Sequence, residues 1–191
     1  ASGEVVLFLD DDLYCSPHLL REHAAGHSRW PGSVVFGPIL IAADSGHGIA
    51  SEWFRAAAET AVARLLREGP RWPDDARIDA NRSIPREVMN ACGLFDERFK
   101  VCKGSVDMGL RLWGAGVPFR FCPAAVAHHV FVKSADDLAR RDGFAYGQSE
   151  LMLSRGHPEY RRVSSLARTR QGFVRKRIRA AAARVPISPE R

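Results

Sequence analysis

The residues of this chain best suited to chemistry are three consecutive aspartates, Asp10, Asp11 and Asp12, which directly follow the apolar run at 5–9. The length and β-branched content of that run are typical of a buried strand, whose C-terminal end would present the carboxylates at a ligand-binding sheet edge. Adjacent carboxylates repel one another, and a divalent cation that prefers oxygen, Mg2+ or Mn2+, relieves the repulsion. The pattern therefore predicts a metal-bridged phosphate site. It leaves open an acidic turn or N-cap cluster ahead of a helix that starts at Ser16-Pro17.

Helical and strand signals alternate along the rest of the chain and predict an α/β fold that positions these aspartates. Turn residues such as Pro31-Gly32, Gly69-Pro70 and Pro123 separate the segments. The predicted helices cover residues 16–30, 49–68, 85–91, 107–113 and a stretch from 134 onward, and the predicted strands cover 33–41, 76–84 and 117–122.

Composition and charge limit the classes of function that fit this sequence. Hydrophobic residues make up 46% and charged residues 26% of the 191 positions, which is ordinary for a globular protein. The net charge of +6 is uneven: residues 1–154 carry 17 Lys and Arg against 20 Asp and Glu, whereas 155–191 carry 11 against 2. The acidic balance of the larger part speaks against a nucleic-acid binder. The basic tail, with apolar residues near one helical face between 166 and 185, suits an anionic membrane surface or a solvated end.

The four cysteines have no paired CxxC spacing, so zinc ribbons and thioredoxin-like chemistry are not expected. Reduced thiols fit a cytoplasmic protein, with peripheral attachment at the inner face of a membrane as a further expectation. The chain enters its first apolar run at residue 5, and this early strand leads us to expect that the sequence opens within a domain.

Four segments, taken in order and spacing, carry a more specific signal. They are Phe8-Leu9-Asp10-Asp11-Asp12, Ala80-Asn81-Arg82-Ser83-Ile84-Pro85-Arg86-Glu87, Cys92-Gly93-Leu94-Phe95-Asp96-Glu97-Arg98-Phe99, and Asp107-Met108-Gly109-Leu110-Arg111-Leu112 followed by Pro123 and His128. Together they resemble family 2 glycosyltransferases of the GT-A fold, which transfer sugars from nucleotide-sugar donors with inversion at the anomeric carbon. The resemblance covers roughly residues 1–155.

The resemblance implies a fold and a domain organisation. The expected architecture is α/β: a GT-A-like, Rossmann-like mixed sheet flanked by helices, with the N-terminal βα units of the family missing. Residues 1–133 would form this partial glycosyltransferase domain, and residues 134–191 a helical C-terminal extension with the basic tail.

The resemblance also assigns site residues. Asp10 and Asp12 match the family's Asp-x-Asp pair, with Asp12 as the metal ligand and Asp10 and Asp11 on the nucleotide-sugar. His128 matches a histidine at a strand end that contributes to the same Mg2+ or Mn2+, and His129 competes for that assignment. Asn81 matches a position near the sugar, with a turn-forming role before a helix as the alternative.

The family's catalytic pair, Glu-Asp, is replaced here by Gly104-Ser105 in a gapless register. A serine has no basicity near neutral pH with which to deprotonate an acceptor hydroxyl. Asp107, two positions on, is the candidate substitute base, although it lies roughly 200° further round a helix. Its alternative role is a carboxylate in the first helical turn or an i,i+4 partner for Arg111.

The resulting hypothesis is metal-assisted transfer of a sugar from a nucleotide-sugar donor to a glycan, lipid or polysaccharide acceptor. The rival is a catalytically impaired or inactive fragment or binding module of the same family, which Gly104-Ser105 favours. A haloacid dehalogenase-type phosphatase also has a strand that ends in Asp-x-Asp, but Tyr14 occupies the position where that class has Thr or Val.

Overall fold

A computed structural model of the chain describes residues 2–46, 48–100, 102–132 and 143–164. The predicted helical stretch from residue 134 therefore lies outside the described residues up to 142, and the basic amphipathic tail from 165 lies outside them entirely.

Two mixed β-sheets flanked by helices make up the described part of the chain. In the first sheet the strand order is β1 (Val5–Phe8), β5 (Arg82–Pro85), β3 (Val34–Phe36) and β6 (Phe119–Phe121), and only the β3–β6 pair is parallel. In the second the order is β2 (Leu13–Cys15), β7 (Ala127–His129) and β4 (Ile39–Ile41), with β2 antiparallel and β4 parallel to β7. The α/β class predicted from the sequence is confirmed at this level.

The helices lie near the predicted positions, although the first begins at Leu19 and not at residue 16, and the fourth begins at Gly104 and not at residue 107. They are α1 (Leu19–Arg29), α2 (Ile49–Glu68), α3 (Arg86–Ala91), α4 (Gly104–Gly114), α5 (Gly143–Gly156) and a 3-10 helix at Pro158–Arg162. α2 has the predicted bounds because Gly69, with φ of 71°, caps its end through the bond from its N–H to the Leu65 carbonyl. No helix in the described ranges combines the length and apolar character needed to cross a membrane.

The predicted strand over 33–41 is wrong in one respect, because it is two strands in different sheets. A Cβ on Gly37 would lie 1.8 Å from the Ala125 carbonyl oxygen, so only glycine fits at this corner. Pro38 follows and has no N–H for a ladder bond. The chain therefore leaves the first sheet at Phe36 and enters the second at Ile39.

The main core lies between the first sheet and the helices α3 and α4. Its buried members are Val34, Phe36, Ile78, Ile84, Met108, Leu112 and Phe119. β1 lies at the edge of this sheet in the described residues and is only partly buried, with Val5 39% exposed. The prediction of a fully buried strand is wrong there, because an apolar run does not distinguish an edge from a centre.

Candidate functional site

A cavity of about 450 Å3 lies where the two sheets meet beneath α2. One wall is apolar and comes from α2, including Trp53, Phe54 and Leu65, together with the β3–β4 corner. The other wall is charged. Its ionisable residues are Asp10, Asp75, Arg77, Asp79, Arg82 and His129. This pairing of an apolar wall with convergent charged groups is typical of a ligand site.

Of the three aspartates after β1, Asp10 lines this cavity, and Asp12 contacts His129, which also lines it. The Val130 N–H donates to the Asp12 carbonyl over 3.0 Å, and Leu13 lies opposite His129 in the β2–β7 ladder. The His129 Nε2 atom then lies 2.9 Å from the Asp12 Oδ2 atom. The Asp12 side chain is 48% exposed and that of His129 28% exposed, so both are accessible from solvent.

The histidine that contacts Asp12 is therefore His129, whereas the sequence analysis assigned His128 to the metal. His128 pairs in the ladders with Tyr14 and Leu40. Successive side chains of a strand point to opposite faces, so the contact of His129 with Asp12 directs His128 to the other face. Sequence register alone cannot decide between adjacent histidines when the strand bounds are uncertain by one residue.

Asp10 lies in a field of excess negative charge. Partial removal from water raises the pKa of its carboxyl, and the Asp79 and Asp12 carboxylates raise it further. His129 lowers the same pKa, and Asp11, which is exposed, makes the smallest contribution. A group of carboxylates whose charges raise a neighbour's pKa also attracts a cation.

Asp79, Arg77 and Arg82 form the second charged group of the cavity, which sequence reasoning missed. The Asp79 Oδ1 atom lies 3.4 Å from the Arg77 Nε atom and 3.5 Å from the Arg82 Nε atom. The only available signal was the alternation of charges in Arg77-Ile78-Asp79, within a strand predicted over 76–84 of which the structure has only Arg82–Pro85. Nothing in that alternation shows which charges face a cavity.

Arg82 is almost entirely buried beside this group. Its guanidinium lies 4.1 Å from the centre of the Phe36 ring, and its side chain is 6% exposed. Burial lowers the pKa of Arg82 to about 9, and the neighbouring Arg77 lowers it too, while Asp79 and Asp75 raise it. Because the side chain lines the cavity, a bound anion would lie near this guanidinium.

Asn81, predicted near the sugar, is placed in the interior with its side chain bonded to the protein. Its Oδ1 atom contacts His23 Nε2 over 2.9 Å, and its Nδ2 atom donates to the carbonyls of Pro38 and Ala125 over 3.0 and 2.7 Å. The residue is fully buried and has a φ of 56°, a left-handed conformation that asparagine adopts more readily than most residues. The structure thus gives Asn81 the role of holding the β3–β4 corner.

Ser105 lies in the first turn of α4, next to the charged wall. Its hydroxyl donates to Asp79 Oδ2 over 3.2 Å, and its carbonyl accepts the Ile78 N–H over 2.8 Å. Both bonds hold the segment that carries Asp79 against the start of α4.

Asp107, the candidate substitute base, is instead a structural ion-pair partner. Its Oδ2 atom accepts from Arg111 Nε over 3.0 Å, and its Oδ1 atom lies 2.8 Å from His157 Nε2. The residue is 7% exposed and does not line the cavity. The i,i+4 pairing with Arg111 that helical spacing indicated is confirmed, and the structure does not support the catalytic assignment.

Asp12 and His129 bring a carboxylate oxygen and an imidazole nitrogen to 2.9 Å from each other, and His129 lines the cavity. Within the described ranges, no group of at least three His, Cys, Asp or Glu side chains is arranged to hold a metal ion. Mg2+ commonly uses only one or two carboxylates, with substrate phosphates and water completing its coordination.

Comparison with models of known protein families finds none that matches this chain, and no curated protein matches it either.

Proposed function

We propose that this chain transfers a sugar from a nucleotide-sugar donor to an acceptor hydroxyl on a glycan, lipid or polysaccharide, in the manner of a GT-A glycosyltransferase of family 2. The observation that carries the proposal is the contact of Asp12 with His129 over 2.9 Å, because His129 lines the same cavity as Asp10 and Asp79. Residues from both ends of the four-motif resemblance, Asp10 and His129, line one cavity, which supports the proposal.

The chemistry of the cavity suits a diphosphate. Asp12 and His129 would hold Mg2+ or Mn2+, whose positive charge would offset the charge that develops on the departing nucleoside diphosphate. Asp10 adds negative charge beside them, and Arg82 offers a buried guanidinium on the same wall. The apolar face of α2, with Trp53 and Phe54, would cover the less polar parts of a ligand.

The basic segment 155–191 favours a location at a membrane surface. It carries 11 Lys and Arg against 2 acidic residues, a balance that favours an anionic membrane surface where a lipid-linked acceptor would lie. We accordingly propose a cytoplasmic protein that attaches peripherally to the inner face of a membrane.

The second candidate is a binding module without catalytic activity. Ser105 favours it, because this residue stands where the family has its base. A module of this kind would bind the nucleotide and metal but would not turn over a donor.

Both candidate functions require binding of a nucleotide together with a metal ion, and titration calorimetry with UDP tests this binding. We expect weak binding in the presence of Mn2+, lost in EDTA, and weakened by at least about 10–100-fold in Asp12→Ala because a ligand of the cation is removed. Asp44→Ala, which removes an exposed aspartate outside the cavity, is the matched control and should bind as the native chain does. Equal binding of UDP in Mn2+ and in EDTA would refute the metal-bridged site.

A further inference from the structure

Asp79 lies beside Ser105, the position where the resembling family has its catalytic base. We infer that Asp79 supplies, from a different segment of the chain, the carboxylate that position 105 lacks, and acts as the general base for the acceptor hydroxyl. This inference rests on the proposed transfer of a sugar. It adds a catalytic residue that neither the motifs nor the resemblance indicates.

Contact with Ser105 locates the Asp79 carboxylate. The Ser105 hydroxyl donates to Asp79 Oδ2 over 3.2 Å, so the carboxylate lies within one hydrogen bond of the side chain at the family's base position. The backbone bond from Ile78 to Ser105, 2.8 Å long, and the close approach of Gly109 to Arg77 hold this segment against α4. A carboxylate on Asp79 and a carboxylate at 105 would therefore reach nearly the same place from opposite sides.

Accessibility favours Asp79 over Asp107. The Asp79 side chain lines the cavity and is 33% exposed, whereas both oxygens of Asp107 are engaged by Arg111 and His157 outside it. An ionised carboxylate has about four acceptor positions, so Asp79 Oδ2 can accept from an acceptor hydroxyl while it also accepts from Ser105. Arg77 and Arg82, 3.4 and 3.5 Å from the other oxygen, orient the group.

The chemical step balances with these groups. The proton of the acceptor hydroxyl passes to the Asp79 carboxylate as the acceptor oxygen forms a bond to the anomeric carbon of the donor. The bond from that carbon to the phosphate oxygen breaks, and its electron pair leaves with the nucleoside diphosphate. Asp79 then returns its proton to water, so the net reaction consumes a nucleotide-sugar and an alcohol and yields a glycoside, a nucleoside diphosphate and a proton.

Nucleoside diphosphate release with water as the acceptor tests the assignment. The probes are UDP-glucose, UDP-N-acetylglucosamine and GDP-mannose with Mn2+ and the full chain. Asp79→Asn should lower the turnover number by about 10²–10⁴-fold, the usual contribution of a positioned base, while calorimetric binding of UDP persists. Asp74→Asn, an exposed neighbour in the same segment that does not line the cavity, is the matched control and should keep the native rate.

A reciprocal exchange separates chemistry from folding. Asp79→Ser should be as slow as Asp79→Asn, and adding Ser105→Asp to it should restore a large part of the rate, because the carboxylate returns to the same place from α4. Circular dichroism of each variant checks that the fold persists. Restoration by Ser105→Asp, with unchanged circular dichroism in the single variant, would show that the loss came from the missing carboxylate.

Other outcomes would contradict the assignment of the base or the proposed sugar transfer. Native turnover in Asp79→Asn would overturn the assignment of the base and leave the transferase proposal in place. A native chain that binds UDP with Mn2+ but releases no nucleotide from any of the donors would overturn both, and would establish the binding module instead.

Discussion

Replacement of Gly109 by alanine should damage both the stability and the cavity of this protein. Gly109 lies in α4 where the helix crosses the segment that leads to Asp79. A Cβ added there would lie 2.2 Å from the Arg77 nitrogen, 2.3 Å from the Arg77 Cα and 2.5 Å from the Ala76 carbonyl carbon. All three atoms belong to the backbone, so no rotamer change can relieve the overlap.

The expected loss of stability follows from how far the added methyl group must displace the neighbouring backbone. Ordinary contact begins at 3.4 Å, so the helix and the segment must separate by about 1.2 Å from the 2.2 Å approach. Overpacking of this kind costs about 1–3 kcal/mol. It outweighs the gain of at most about 1 kcal/mol that alanine offers over glycine in a helix interior. We therefore expect a net loss of stability.

Thermal and urea denaturation followed by circular dichroism measure the effect. A loss of about 1–3 kcal/mol corresponds to a fall in Tm of about 2–12 °C for a chain of this size. Gly114→Ala in the same helix is the matched control, since in the described part of the chain no atom outside the adjoining helical backbone lies within 4 Å of the added Cβ. That variant should be as stable as the native protein or more stable by up to about 1 kcal/mol.

Equal stability of Gly109→Ala and Gly114→Ala would refute the close packing of α4 on residues 76–77. If the packing is as described, the displacement should also stretch the bond between Ser105 and Asp79, which is 3.2 Å long. Gly109→Ala should then show a lower rate of nucleotide release, although no side chain of the cavity has been changed.

Two further predictions concern the buried polar residues behind the cavity. Asn81→Ala should lower the free energy of unfolding by at least about 1–3 kcal/mol, because the buried carbonyls of Pro38 and Ala125 lose their donor. Asn90→Ala, on an exposed face of α3, is the control and should change the free energy of unfolding little. Urea denaturation compares the two variants, and equal losses would exclude the role of Asn81 in holding the β3–β4 corner. Burial lowers the pKa of both His23 and His27 below the ordinary 6.5, so near that pH the folded state binds fewer protons than the unfolded state. The free energy of unfolding is therefore highest above pH 6.5 and declines as the pH falls below 6.5. Urea denaturation between pH 7.5 and 5.5 should show this decline, with a shallower slope in His23→Gln; stability that rises on acidification over this range would contradict the sign.

Local sequence signals were sufficient for the helices. The bounds of α2 follow from helical spacing between Gly48 and Gly69-Pro70, and the pairing of Asp107 with Arg111 follows from their i,i+4 spacing. Both depend only on residues within one or two helical turns, so chain proximity already brings the groups together. For the same reason the position of the aspartates at the C-terminal end of a strand could be predicted from residues 5–12.

The candidate site depends on contacts between residues far apart in the chain, and only tertiary structure decides these. The choice of His129 over His128 follows from a strand register in which one residue of shift exchanges the faces. The approach of Asp79 to Ser105 depends on the packing of α4 at Gly109, which no periodicity reveals. Local patterns report the conformation of each segment, whereas the cavity arises where segments meet, and their meeting is set by ladder register and close packing across the whole chain.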